Sequence, residues 1–138
     1  MNSKTLRSLS LGAIALSRQF GIRITVEQLE KKISQGQIKS EKELKNTLKE
    51  QGVKVQRLKP SLKTLIDRSY YFPCVALMRD GTARILISCK SNVENVIEFQ
   101  SIDPLDPTSK INVENEAEFK LNWVGSVYLI SSETGIAS

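Results

Sequence analysis

The chain has 138 residues, 40% of them hydrophobic, with a formal charge of +5 and no histidine. That length suits one domain with one real core, and no apolar run reaches the roughly 18 residues needed to cross a bilayer. Without histidine there is no imidazole base, no Ser-His-Asp or Cys-His arrangement and no histidine metal ligand.

The charge is uneven. Residues 1–68 hold 15 Lys and Arg against 6 Asp and Glu, and residues 69–138 hold 5 against 9. A basic first half suits nucleic acid, an anionic lipid surface or an acidic partner, or is plain solvated helix surface. Nucleic acid is the weakest of these, because the aromatic residues that would stack on bases lie in the acidic half. The opening MNSKTLRSLSLGAIAL has the basic-then-apolar order of a signal peptide, but a helical pattern runs on through it and no processing site is clear.

In chain order, Leu6, Leu9, Ala13, Leu16 and Phe20 recur at steps of three and four, the stripe of an amphipathic helix over about residues 4–20 that ends at Gly21. Gly12 inside it is a poor helix former, which points to close packing or inheritance from a site. Thr25 with Gln28, then Ser40 with Glu43, have the capping-box spacing that opens a helix. The first of these helices buries Val26, Leu29 and Ile33 and is followed by Gly36; the second buries Leu44 and Leu48 and stops at Gly52. Val53 and Val55 alternate with polar residues, as in a strand with one wet face. Pro60 and Ser61 open a short helix that turns Leu62, Leu65 and Ile66 inward.

The stretch Tyr70 to Cys89 organises the rest. Pro73–Arg79 and Ala83–Cys89 read as two strands joined at Asp80-Gly81, a pair that supplies the positive φ of a hairpin turn. Since a lone hairpin is marginal, later segments should add strands and the helices should cover a face. Val93 to Phe99 reads as the next strand after a turn at Asn92. Ile102 to Pro107 is a proline-rich loop, Glu116 to Asn122 a short helix, Val124 to Ile130 the closing strand and Thr134 to Ser138 a loose end. The fold class is α+β, with N-terminal helices packed on an antiparallel β-sheet.

Few residues here carry chemistry. Cys74 and Cys89 lack metal spacing and sit in apolar strands, where free buried thiols are the expected state and a disulfide the alternative. Asp103 and Asp106 cap their loop or form a carboxylate pair, and the prolines favour capping. No GxxxxGKS/T or GxGxxG loop is present, so nucleotide binding lacks its cradle. Phe72, Leu77 and Met78 are core residues or the wall of an apolar groove, and Trp123 and Tyr128 divide the same way. Neither a cofactor nor a metal is expected.

The order of these segments resembles the C39 peptidase family, papain-like domains at the N-terminus of bacterial ABC exporters, and in particular the C39-like domains of type I secretion transporters of the haemolysin type. The family's Cys-Gly-x-Ala-x-Leu falls on Leu11-Gly12-Ala13-Ile14-Ala15-Leu16, where Gly12 and Leu16 match and Leu11 stands at the nucleophile. Its Pro-strand, turn and His-aromatic signature is matched by Pro73, Asp80-Gly81 and Ala83-Arg84-Ile85-Leu86, with Ala83 at the histidine. Its Asp-Pro is matched by Asp103-Pro104, or in another register by Asp106-Pro107. The closing Glu118-Phe119, Trp123 and Gly125 also agree. The glutamine that precedes the family's cysteine is missing, its neighbourhood being Lys4, Thr5 and Leu6.

The resemblance implies a papain-like C39 fold over a single domain, residues 1–138, as the N-terminal part of a longer transporter on the cytoplasmic side of a bacterial inner membrane. Leu11 cannot attack and Ala83 cannot accept a proton, so the orienting Asp103 has nothing to orient and no peptidase activity is expected; an ATPase would reside in other domains. The implied role is recruitment of an unfolded secreted protein, with RTX proteins as one class, through a cleft between helices and sheet lined by Leu11, Leu77, Ala83 and Asp103. The alternative is a structural or regulatory module docking on the transporter's own transmembrane and nucleotide-binding domains or its membrane-fusion partner.

Overall fold

The computed structural model describes residues 1–133, and of Tyr70 the backbone alone. The loose end expected at Thr134 to Ser138 lies outside the described residues. Five helices and six strands follow in the order α1 (Ser3–Ser17), α2 (Val26–Ser34), α3 (Glu41–Glu50), β1 (Val53–Leu58), α4 (Leu62–Asp67), β2 (Cys74–Met78), β3 (Ala83–Ser91), β4 (Ile97–Ile102), β5 (Ile111–Asn115), α5 (Glu116–Asn122) and β6 (Trp123–Ser132). The strands form one antiparallel sheet ordered β1-β6-β2-β3-β4-β5.

Alternation along each strand divides the core between the two sheet faces. One face, with Val53, Val55, Val75, Ala83 and Tyr128, packs on Leu6, Leu9, Ala13 and Ile14 of α1, Leu29 and Ile33 of α2 and Leu44 and Leu48 of α3. The other, with Cys74, Ala76, Met78, Leu86, Phe99 and Val127, packs on Leu65 of α4 and Phe119 of α5. There Phe99 stacks on Phe119 with ring centroids 4.0 Å apart, and Phe119 on Trp123 at 5.4 Å.

Helix α1 starts two residues after Met1, with Asn2 Oδ1 accepting the Thr5 amide at 2.8 Å. It stops at Ser17 and tightens into a 3-10 turn over Arg18–Phe20 before Gly21 at φ 74°. The tightening breaks the expected stripe, so Phe20 is 44% exposed while Leu6, Leu9, Ala13 and Leu16 are buried. Gly12 lies against the sheet: a Cβ there would fall 3.2 Å from Val75 Cγ2, so close packing accounts for it.

The caps are partly as expected. Ser40 Oγ accepts the Glu43 amide at 3.2 Å and Ser61 Oγ the Thr64 amide at 3.1 Å. Thr25 makes no side-chain cap, which corrects the expected box with Gln28. A complete capping box stands instead at Asn115 and Glu118, opening α5.

The strand expected at Val93 to Phe99 starts later, at Ile97, and runs to Ile102. Residues Asn92 to Val96 are a turn in which Asn92 Oδ1 accepts the amides of Glu94 and Val96, at 2.8 and 3.1 Å, and Asn95 takes φ 61°. Edge strand β5 was not anticipated.

Candidate functional site

Ala83 opens β3 directly beneath α1, and the α1 residue that meets it is Ser8. Ser8 Oγ accepts the Ala83 amide at 2.7 Å and donates to the Ala83 carbonyl at 2.8 Å, with both residues fully buried. Ile102, the last residue of β4, pairs with Ile85; the chain then leaves the sheet at Asp103-Pro104, and Pro104 has no amide to offer. Ser8 supplies both partners that the start of β3 would otherwise lack.

Neighbouring bonds extend this seam. Thr5 Oγ1 donates to the Gly81 carbonyl at 2.7 Å, and Lys4 Nζ to the Asp80 carbonyl at 3.3 Å. Asp80 Oδ1 accepts the Thr82 amide at 2.9 Å and its hydroxyl at 2.6 Å, holding the turn in which Gly81 has φ 89°. Burial works to raise the Asp80 carboxyl, but the Thr82 bonds and the Arg84 guanidinium outweigh it and hold the group below its ordinary range. The α1 residues facing the hairpin, Thr5, Ser8 and Gly12, are small and spaced three and four apart, so helix and hairpin approach closely. Where a cleft lined in part by Ala83 was expected between the helices and the sheet, these bonds join α1 to β3.

The anticipated site residues differ in their surroundings. Leu11, one turn beyond Ser8, is half-buried and belongs to neither core cluster. Asp103 Oδ1 accepts the Leu105 amide at 2.9 Å, and Asp106 Oδ1 accepts the Thr108 amide at 2.9 Å and hydroxyl at 2.8 Å, so both cap the loop. Leu77 lines a cleft. Ser8 was missed; its signal was the Thr5, Ser8, Gly12 spacing on a face that otherwise buries leucine.

That cleft, of about 480 Å³, opens beside the seam and shares Thr5 and Gly81 with it. Leu77, Met78 and Val124 give it an apolar wall, and Glu41, Arg57 and Arg79 give it charge. At its floor the Tyr128 hydroxyl donates to Glu41 Oε1, which also accepts Arg57 Nη1 at 3.1 Å. Arg57 further donates to Ser126 Oγ at 3.1 and 3.3 Å and lies 5.7 Å from the Tyr128 ring centroid. Burial works to raise the Glu41 carboxyl, but Tyr128, Arg57 and Lys45 prevail and it stays below its ordinary range. Burial and the Glu41 carboxylate together push the Tyr128 phenol upward. The result is a charge-compensated cluster beside an apolar wall.

Neither thiol is primed for attack. Burial pushes Cys74 up to about 12, and burial with the Glu116 charge pushes Cys89 up to about 11. Both cysteines are free. Among the described residues no group of His, Cys, Asp and Glu could hold a metal ion, and no helix is long and apolar enough to cross a membrane.

Residues 6–135 match the Peptidase C39 family. Solved structures share the fold at low identity. A double glycine motif protease from an AMS/PCAT transporter, in complex with leader peptide, aligns at 12% identity and a TM-score of 0.69 over 91% of this chain and 85% of that one. The peptidase domain of Streptococcus ComA, described as a bi-functional ABC transporter involved in quorum sensing, aligns at 16% identity and 0.69 over 91% and 92%. The N-terminal peptidase C39 like domain of the toxin secretion ATP-binding protein from Vibrio parahaemolyticus aligns at 17% identity and 0.62 over 96% and 98%. Among curated proteins, none matches the sequence.

Proposed function

The chain belongs to the Peptidase C39 family, and from that premise we propose that it is a non-catalytic member that recruits an export substrate. A segment of the unfolded cargo lies in the cleft bounded by Leu77, Met78 and Val124. The observation that carries this reading is the Ser8–Ala83 contact: where a C39 peptidase would hold its histidine, the chain has a buried alanine whose backbone is bonded to a serine. A thiol peptidase needs a thiolate, a base and an oxyanion donor. This chain contains no histidine, and its two thiols lie in strands with their ionisation suppressed.

Three further elements belong to the same proposal. The domain is the N-terminal part of a longer ABC exporter, at the cytoplasmic face of a bacterial inner membrane, whose own transmembrane and nucleotide-binding domains are its neighbours. The cargo is an unfolded secreted protein, with RTX proteins as one class. Leu11, Ala83 and Asp103 occupy the degenerate catalytic positions, while peptide contact moves to the groove beside them. The leader peptide bound to the AMS/PCAT protease and the secretion role in the name of the Vibrio protein support the class of ligand.

The test is a titration of the isotopically labelled domain with calcium-free, unfolded cargo, followed by amide shifts. Saturable shifts at Leu77, Met78 and Val124 are expected. Shifts centred on Leu11 and Asp103 would return binding to the degenerate site. An absence of shifts at high cargo concentration would sink recruitment and favour a module docking on transporter segments or on the membrane-fusion partner.

A further inference from the structure

We propose that the turn between α1 and α2, residues 18–24, is a docking surface for an anionic phospholipid membrane. It is separate from the peptide cleft and does not depend on recruitment of cargo. The premature end of α1 at Ser17 and the 3-10 turn that follows place Phe20 outward, 44% exposed, although its spacing puts it on the buried stripe. Arg18 and Arg23 flank a cleft of about 450 Å³ whose other lining residues are Gly21, Ile22 and Ile24.

Both arginines are exposed, and neither side chain has a hydrogen bond or ion pair among the described residues. Arg7, Arg57 and Arg84, by contrast, each engage a carboxylate. The local charge is uncompensated in sequence too, since the first acidic residue of the chain is Glu27. The turn rests on the end of α3: a Cβ on Gly52 would lie 3.9 Å from Ile22 Cδ1. Near Gly52, Lys49 is ion-paired with Glu133 at 3.8 Å, and Glu27 and Glu50 are the acids nearest the turn and Gly52 in sequence.

An exposed aromatic ring on the same short turn as two unpaired guanidiniums matches the boundary of an anionic bilayer. The ring enters the headgroup and acyl boundary while the cations meet lipid phosphates. Nucleic acid is a poorer fit, because a single exposed ring offers no run of stacking platforms. The occupant is therefore a lipid surface.

The test is co-sedimentation of the 138-residue chain with phosphatidylcholine vesicles, with and without phosphatidylglycerol. Binding is expected only with phosphatidylglycerol, weakening as salt rises. R18Q and R23Q should each weaken it roughly five-fold. F20S should weaken it further with an unchanged far-UV spectrum, and K110Q, on the opposite edge of the sheet, should leave it unchanged. F20W should shift its emission to the blue on anionic vesicles, against the constant background of buried Trp123. The proposal is overturned by no binding to phosphatidylglycerol vesicles, by binding that survives the R18Q/R23Q double variant, by an equal loss in K110Q, or by an unmoved F20W emission.

Discussion

The Tyr128 hydroxyl and the Arg57 guanidinium share one oxygen of Glu41, tying β6, β1 and the first turn of α3 at a single carboxylate. Because that carboxyl titrates below its ordinary value of 4.5, it contributes stability that is present above that value and lost as pH falls through the folded-state value. Urea unfolding across the acid range should show E41Q with a shallower acid loss than the parent. An identical acid limb would show that Glu41 is not the group responsible.

The same site responds to alkali with the opposite sign. Tyr128 titrates above its ordinary value of 10.0, so the stability it contributes is complete below that pH and lost as pH rises beyond it. Y128F should lower stability at neutral pH by about 1–2 kcal/mol and remove part of the alkaline loss. Equal midpoints for Y128F and parent at neutral pH would sink this.

Ser8 should matter more than its size suggests. S8A leaves the Ala83 amide and carbonyl buried without partners, at a cost of about 2–4 kcal/mol. L11A, at a half-buried position outside the core clusters, should cost under about 1.5 kcal/mol. Linear extrapolation of urea unfolding ranks the two, and the reverse order would contradict the assignment of the seam.

Leu77 tests the cleft. L77A should weaken cargo binding about 10-fold, or ~1.4 kcal/mol, through lost apolar contact, with little effect on the titration of Glu41. Undiminished affinity would place the cargo elsewhere.

The thiols offer a simple probe. With Cys89 raised to about 11 and Cys74 to about 12, the thiolate fraction at pH 8 is at least about 100-fold below that of an ordinary cysteine. Iodoacetamide labelling of the folded chain, read by mass spectrometry, should be slow at both, with Cys89 ahead of buried Cys74. Rapid labelling of Cys74 would reveal a reactive thiol and reopen the question of covalent chemistry.

How much of this was legible in the sequence varied with how local the cause is. The central hairpin was, because Asp80-Gly81 encodes its own turn and the strands beside it are apolar. Helix α3 was as well, since Ser40, Leu44, Leu48 and Gly52 mark its start, face and stop. Strand β5 was not: Ile111 and Val113 alternate with polar residues over only five positions at a half-wet sheet edge, after a proline-rich loop. Valine content suggested a strand from Val93, where side-chain bonds from Asn92 fix a turn instead. The Ser8 seam was hidden for another reason, since it joins a hydroxyl to backbone groups 75 residues away and no local pattern records such a partner.

Strand order has a consequence for how the chain is made. β6 lies between β1 and β2, pairing Val55 with Ile130 on one side and Val75 with Tyr128 on the other. A nascent chain on the ribosome therefore has no neighbour for the inner edge of either strand until the last strand has left the exit tunnel. Until then α1 to α3 have only part of a sheet to cover. The two parts of the sheet join only through β6, and a released chain ending before Trp123 would leave the inner edges of β1 and β2 open.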